Sequence, residues 1–110
     1  GSALGTPAYM SPEQARGDLQ ATGPHSDVYS LGATLYCLLT GRAAFDGPAC
    51  EVLRDVERGM FKAPRAIRPS IDPALEAVCL RAMSHRPEDR YPRCRALADE
   101  VERWLAEGGF

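Results

Sequence analysis

Residues 26 to 39 form the run SDVYSLGATLYCLL, which carries no charge after Asp27. A helix built from this run is apolar on every face, so it must be surrounded by protein rather than lie on a surface. The run is shorter than the roughly 17 to 25 residues that a membrane-spanning helix needs. We therefore predict a central helix within a soluble domain, with Ser26 or Asp27 capping its start and Gly41 capping its end.

The remaining segments predict further helices and no strands. Ser11 is a good N-cap, Pro12 suits the first helical position, and Glu13 meets the positive end of the helix dipole, so a short helix begins here and ends at Gly17. Trp104 and Leu105 are predicted to lie in the core. Amphipathic helices are predicted from 48 to 59, 72 to 84 and 93 to 106, and irregular loops at 60 to 70 and 85 to 92.

No segment alternates apolar and polar residues as a half-buried strand would. The predicted fold class is therefore all-α, with a central buried helix surrounded by a short helix and three amphipathic helices. With 110 residues, a single core is expected.

Charge and cysteine usage argue against several classes of protein. The 13 basic and 15 acidic residues are dispersed, which gives no reason to expect nucleic acid or membrane partners. A helix-turn-helix DNA-binding protein would fit the helix count but not this acidic balance. The four cysteines form no CxxC pair, so reduced thiols, mostly in the core, are predicted rather than a zinc site or disulfides. The sequence shows no signal peptide or transmembrane run, which favours a cytoplasmic location.

Three motifs occur in order: GTPAYMSPE at 5 to 13, SDVYSLG at 26 to 32, and RPEDRYP at 86 to 92. Together they resemble the C-terminal part of the large lobe of a eukaryotic-like protein kinase, of the bacterial serine/threonine type. The resemblance covers essentially the whole chain. It implies that residues 1 to 110 are a partial kinase domain, from the end of the activation segment through the last helix, without the N-lobe and catalytic loop.

The resemblance implies structural roles for three residues. Glu13 matches the glutamate of the A-P-E signature, with Ser11 in place of the alanine, and Arg90 matches the arginine that pairs with this glutamate. Such a pair would anchor the activation segment on the helices, whereas the alternative is two unrelated surface charges. Asp27 matches the aspartate that holds the backbone of the catalytic loop, and a plain N-cap is the alternative, or the additional, role.

Thr6 resembles the hydroxyl that supports catalysis in serine/threonine kinases by bonding to the catalytic aspartate and its partner lysine. Tyrosine kinases use a different loop, and outside this context Thr6 would be a hydroxyl in a polar turn. The residues after it would line the pocket for the substrate residue that follows the phosphoacceptor: Pro7, Ala8, Tyr9 and Met10.

Phosphoryl transfer in kinases also needs a Gly-rich loop, a strand lysine, a catalytic aspartate with a downstream asparagine, and a metal-binding aspartate. None of these motifs occurs here, and the chain has no asparagine. We therefore expect the fragment alone to bind no cofactor or metal and to be inactive, with ATP and Mg²⁺ bound by the full-length parent. His25 and His85 have no partners at metal-ligand spacing and are predicted to be solvated.

The implied partners are protein substrates with a serine or threonine acceptor, and the remainder of the kinase domain. The alternative function is a non-catalytic helical module, similar to a pseudokinase, that binds other proteins. Retention of Thr6 favours the enzyme, because a scaffold does not need that hydroxyl.

Overall fold

The computed structural model describes residues 7–108, and within that range all regular structure is helical. Single turns of 3-10 helix are formed by Pro7–Tyr9 and Pro87–Asp89. The all-α prediction is confirmed, and so is the central position of the second helix. The six α-helices are α1 (Pro12–Ala15), α2 (Pro24–Thr40), α3 (Ala49–Arg58), α4 (Pro64–Ile67), α5 (Pro73–Ala82) and α6 (Cys94–Ala106).

The central helix α2 begins earlier than the sequence predicted. Gly23 is the N-cap and Pro24 is the first helical residue, which suits proline because its φ angle is preset and the missing N–H would be unpaired there. Ser26 lies within the first turn, where its Oγ accepts a hydrogen bond from the Gly23 N–H at 3.1 Å. The predicted end is confirmed, because Gly41 has a left-handed φ of 83° and its N–H donates to the Cys37 carbonyl at 2.8 Å.

The prediction that α2 is enclosed on every side is wrong for one of its faces. Two other faces are buried: Tyr29 and Tyr36 belong to a cluster that includes α3 and α5, whereas Val28 packs in a second cluster with residues of α5 and α6. One stripe along the helix is exposed, with Leu38 at 75%. We call it the exposed stripe; its members are Asp27, Leu31, Thr34 and Leu38.

Helices α2 and α5 pack closely against each other at Gly32. A Cβ atom added to Gly32 would lie 2.6 Å from the Ala82 Cβ and 3.0 Å from the Met83 Cγ, which is closer than such atoms pack. The Cys79 thiol also donates to the Gly32 carbonyl at 3.5 Å. Glycine is therefore required here by packing, although its φ angle is helical.

The last two long helices are connected by Asp72, the N-cap of α5. Its side chain accepts from the Ala74 N–H at 2.8 Å, as the sequence predicted, and also from the Trp104 Nε1–H of α6 at 3.1 Å. Trp104 is only half-buried, and Leu105 is 44% exposed, so the core position predicted for Leu105 is wrong. The apolar face of α6 turns away from the core at this end.

Two further features differ from the predictions. The segment from 60 to 70 is not wholly irregular, because Pro64 starts the single turn of α4 and is itself buried. Cys79 is a core thiol as predicted, whereas Cys50 is exposed; all four cysteines are unpaired.

No described helix combines the length and apolar composition needed to cross a bilayer.

Candidate functional site

The segment before α1 is held on α2 by a backbone contact. The Pro7–Tyr9 turn is closed by the Met10 N–H, which donates to the Pro7 carbonyl at 3.2 Å. The Ser30 hydroxyl of α2 donates to the Tyr9 carbonyl at 2.7 Å. The neighbouring Cys37 thiol, and then burial, raise the pKa of Tyr9. The turn is therefore fixed against the buried side of α2.

The same turn forms one wall of a cavity of about 350 Å³, which we call the turn cavity. Three of the four residues predicted to form a substrate pocket line it, namely Pro7, Ala8 and Tyr9. Met10 is half-buried and does not line this cavity. Thr6, the predicted supporting hydroxyl, lies outside the described residues. The opposite walls come from the α2–α3 loop and from α3: Ala43, Phe45, Asp46, Gly47, Ala49 and Val52.

Glu13 is positioned by the short helix α1, which has a complete capping box. The Ser11 hydroxyl accepts from the Gln14 N–H at 3.3 Å, and the Gln14 side chain accepts from the Ser11 N–H at 2.9 Å. This start places Glu13 in the first turn, with its side chain turned into the protein and 1% exposed. A buried carboxylate requires partners, and Glu13 has two.

The first partner is Arg90, whose side chain is fully buried between the Pro87–Asp89 turn and α6. Its Nη1 and Nη2 donate to the two Glu13 carboxylate oxygens at 2.7 and 3.0 Å, which is the bidentate geometry of a strong ion pair. The remaining donors reach backbone carbonyls: Nη1 to His25 at 3.0 Å, Nη2 to His85 at 3.1 Å, and Nε to Ser84 at 2.8 Å. All five guanidinium N–H groups are thus satisfied.

The second partner is Ser26, whose role in this pair the sequence analysis missed. Its hydroxyl donates to Glu13 Oε2 at 2.7 Å while it accepts from the Gly23 N–H. The Tyr29 ring also lies under the Arg90 guanidinium, and its centroid is 5.0 Å from the Arg90 Cζ atom. The signal was present in the sequence, because Gly23-Pro24 fixes the helix start and makes Ser26 its third residue.

These contacts determine the charge state of Glu13. Burial alone would raise the pKa of the Glu13 carboxyl, but the hydrogen bonds from Arg90 and Ser26 outweigh it and lower the pKa to about 2. The pair is therefore fully ionised at neutral pH. Contacts from α1, α2 and the loop before α6 converge on it, so it joins three elements that are distant in sequence.

The structure does not bring Asp27 to this ion pair. Asp27 lies on the exposed stripe of α2, and its side chain makes no hydrogen bond or ion pair with another residue of the range 7–108. Because Gly23 is the cap, the alternative role of Asp27 as a plain N-cap is wrong. His25 is half-buried and its ring contacts the Ala21 carbonyl, whereas the exposed His85 ring contacts the Glu57 carbonyl.

Comparison with known proteins gives a consistent result. The protein kinase domain family model matches residues 1–101. Tyrosine-protein kinase MasK of Myxococcus xanthus is 42% identical over 100 residues, which are 90% of this chain and 15% of MasK. Serine/threonine-protein kinase PksC of Streptomyces coelicolor is 38% identical over 108 residues, which are 96% of this chain and 19% of PksC.

Serine/threonine-protein kinase PknB of Mycobacterium leprae is 41% identical over 102 residues, which are 91% of this chain and 16% of PknB. The chain spans less than a fifth of the length of each of these three relatives. The residues that the family model matches, 1–101, include both residues of the ion pair and every residue that lines the turn cavity. On the family match and these identities, the chain belongs to the protein kinase domain family.

Proposed function

We propose that this chain is the part of a serine/threonine protein kinase that anchors the activation segment and forms part of the substrate-binding surface. The longer protein would transfer the γ-phosphate of ATP to serine or threonine side chains of other proteins. Residues 1 to 110 would run from the end of the activation segment to the last helix of the large lobe. By itself the chain would be inactive.

The observation that carries this proposal is the buried ion pair between Glu13 and Arg90. A surface that positions a substrate must be held rigidly, since small displacements of reacting groups cost rate. Glu13 lies four residues after the Pro7–Tyr9 turn, and its two partners lie on α2 and beside α6. The segment that leads from the turn into α1 is thus held at two points, by Ser30 at Tyr9 and by Arg90 at Glu13.

We do not assign the binding of Mg²⁺ and ATP to the described residues. Between Pro7 and Gly108, no three side chains of the His, Cys, Asp or Glu type come together in a way that could hold a metal ion. We therefore propose that the nucleotide and Mg²⁺ are bound by a part of the kinase outside this chain. The contribution of this chain would be to place the acceptor segment.

The exposed stripe of α2 is the surface proposed to contact that other part. Leu31 and Leu38 are exposed at 38% and 75%, although they belong to the helix on which the core is built. Asp27 begins the stripe and would hold the backbone of the catalytic loop. The remainder of the kinase domain is thus the proposed partner of this face.

The proposed acceptor is serine or threonine because of Thr6. Its hydroxyl would bond to the catalytic aspartate and lysine of the longer protein. Two of the relatives described above are named serine/threonine-protein kinases and one is named a tyrosine-protein kinase, so the acceptor can be tested directly.

The test is an activity assay of the longer kinase with peptides that differ only in a serine, threonine or tyrosine acceptor. We expect transfer to serine and threonine, and a fall in kcat of roughly 10²-fold or more in Thr6→Val, the size expected when a positioned hydroxyl is lost. Thr6→Ser keeps the hydroxyl and should retain most activity. Turnover by the isolated chain, or an unchanged Thr6→Val variant, would contradict the proposal. An inactive longer protein would instead favour the non-catalytic interaction module.

A further inference from the structure

The turn cavity adjoins a second and larger cavity. This second cavity has a volume of about 540 Å³ and lies between the α2–α3 loop and the segment from 60 to 67. The two cavities share three wall residues, Ala43, Phe45 and Asp46. A segment bound in the turn cavity could therefore extend directly into the second one, which we call the aromatic cavity.

Three rings give the aromatic cavity a fixed apolar wall. Phe61 packs edge-to-face on Tyr36, with centroids 5.8 Å apart, and on Phe45, with centroids 5.6 Å apart. Tyr36 and Phe45 are buried, whereas Met60 beside them is 63% exposed. An apolar side chain entering here would contact rigid rings on one side and an adaptable thioether on the other.

Two cations, Arg42 and Lys62, line the aromatic cavity at its Tyr36 end. The Tyr36 hydroxyl donates to the Lys62 carbonyl at 2.7 Å, which fixes the Lys62 backbone beside the ring. Burial raises the pKa of Tyr36, and the nearby charge of Arg42 opposes that rise. Neither cation forms an ion pair with any residue in the described part of the chain. Both charges are therefore available to a ligand.

Two carboxylates, Asp46 and Asp55, also line the aromatic cavity. Asp46 belongs to the wall shared with the turn cavity, and its Oδ1 accepts from the Gly47 N–H at 2.9 Å. Asp55 contributes from α3. The wall shared with the turn cavity thus carries a carboxylate, whereas both cations belong to the lining of the aromatic cavity alone.

We propose that the aromatic cavity binds the part of a protein substrate that follows the residue held in the turn cavity, and selects a large apolar side chain followed by an acidic one. The inference rests on the proposed function, which assigns the turn cavity to the residue after the phosphoacceptor. An extended segment directs alternate side chains to the same face, so one stretch of chain can fill both cavities. Its acidic side chain would pair with Arg42 and Lys62.

The experiment measures binding of fluorescein-labelled peptides to the 110-residue chain by fluorescence anisotropy. Each peptide has a threonine acceptor and then a leucine, followed by leucine or alanine at successive positions and by a terminal glutamate or lysine. We expect glutamate peptides to bind about tenfold more tightly than lysine peptides, as for a charge-assisted contact. Leucine should be preferred to alanine at one downstream position, and Met60→Ala should weaken that preference.

Three variants test the charges. The double variant Arg42→Glu/Lys62→Glu should reverse the preference for glutamate over lysine, and Asp55→Asn should tighten binding of glutamate peptides. Arg93→Glu, which changes an exposed arginine outside the cavity, is the matched control and should leave the ratio unchanged. Circular dichroism should show the same helix content in each variant.

Equal affinity for glutamate and lysine peptides, an unchanged ratio in the double variant, or no binding of any peptide would overturn the inference. The longer kinase separates this failure from that of the proposed function. If it phosphorylates serine and threonine peptides regardless of the downstream residues, only the substrate preference is wrong. If it phosphorylates none of them, the proposed function itself is wrong.

Discussion

The buried ion pair between Glu13 and Arg90 and two ion pairs on the outer face of α6 have similar shortest nitrogen–oxygen distances. The distance from Arg90 Nη1 to Glu13 Oε2 is 2.7 Å. On α6, Arg95 Nε lies 2.9 Å from Asp99 Oδ1, and Arg103 Nη1 lies 2.9 Å from Glu100 Oε2. The surroundings differ, because the side chains of the first pair are 0% and 1% exposed, whereas Arg95 and Arg103 are both 67% exposed. Distance alone does not distinguish these pairs.

The comparison shows that burial decides how much depends on an ion pair. On α6, water screens the charges and can replace either partner, so removal of one partner has a small effect. At Glu13 both side chains are buried, and removal of one partner leaves a buried charge without compensation. The buried pair can therefore be required for folding even if it adds little net stability, because the cost arises when one partner is removed and the other remains buried.

The largest expected effect is that of Arg90→Ala. We expect the free energy of unfolding to fall by about 3 to 5 kcal/mol, because Glu13 and three backbone carbonyls lose their donors together. Urea unfolding followed by circular dichroism measures the change. Arg90→Lys keeps the charge but cannot make the bidentate contact, so its unfolding free energy should lie between those of the wild type and Arg90→Ala. A loss below about 1 kcal/mol would mean that this pair behaves like a surface pair.

The next effect concerns pH. Glu13 has a pKa of about 2 in the folded chain against an ordinary value of 4.5, so it binds fewer protons when folded than when unfolded. Its stabilising contribution is complete above pH 4.5 and is lost as the pH falls from 4.5 toward 2. The difference in unfolding free energy between wild type and Glu13→Gln should therefore shrink over this range.

The matched control for this pH experiment is Glu88, whose carboxylate pairs with Arg86 at 2.6 Å on the surface. Its own backbone N–H and Arg86 lower its pKa too, but both side chains are largely exposed. Glu88→Gln should thus change the pH profile little. A profile as altered as that of Glu13→Gln would break the distinction between the buried and exposed pairs.

A smaller effect, of opposite sign, is expected at Tyr29 within the buried region. Its ring lies under Arg90, but within residues 7–108 its hydroxyl has no hydrogen-bond partner. Tyr29→Phe keeps the ring and removes an unsatisfied polar group, so stability should rise by up to about 1 kcal/mol. Thermal unfolding checks the sign. A lower melting temperature would show that the hydroxyl has a favourable contact.

The smallest effect is expected on α6. Arg95→Ala removes the contacts to Asp99 and Glu102, yet the unfolding free energy should change by less than about 0.5 kcal/mol, the usual size for exposed helix pairs. The same urea experiment at low and high salt measures it. A loss comparable to that of Arg90→Ala would remove burial as the explanation of the difference.

Local signals in the sequence predicted the helices well, because caps and proline positions act over a few residues. Ser11, Gly41 and Asp72 all cap helices where predicted, and the amphipathic faces of α3 and α5 supply the buried residues Val52 and Cys79. The errors occurred where two local signals competed. At the start of α2, Pro24 prevailed over Ser26 and Asp27, and at Pro64 a proline began a turn within a predicted loop.

For the candidate site, the resemblance to protein kinases carried by the three motifs implied that Glu13 and Arg90 are partners across 77 positions of sequence. The sequence analysis missed that Ser26 completes the Glu13 environment, because it gave the Ser26 hydroxyl only a local use as a cap. It also could not reveal that Met10 lies outside the turn cavity while Pro7 to Tyr9 line it. Such assignments depend on which way each side chain faces after the turn has docked on α2.

By itself, then, the sequence determined the helical class, most helix boundaries and the pairing of two distant charges, since periodicity, capping and motif order are all properties of the chain. Only the tertiary structure decided which faces are buried. The run from 26 to 39 is apolar all round, yet Leu38 remains exposed, because burial depends on how many neighbours pack around a helix and not on its own composition. The same dependence makes Glu13 and Arg90 a buried pair and leaves the arginines of α6 in water.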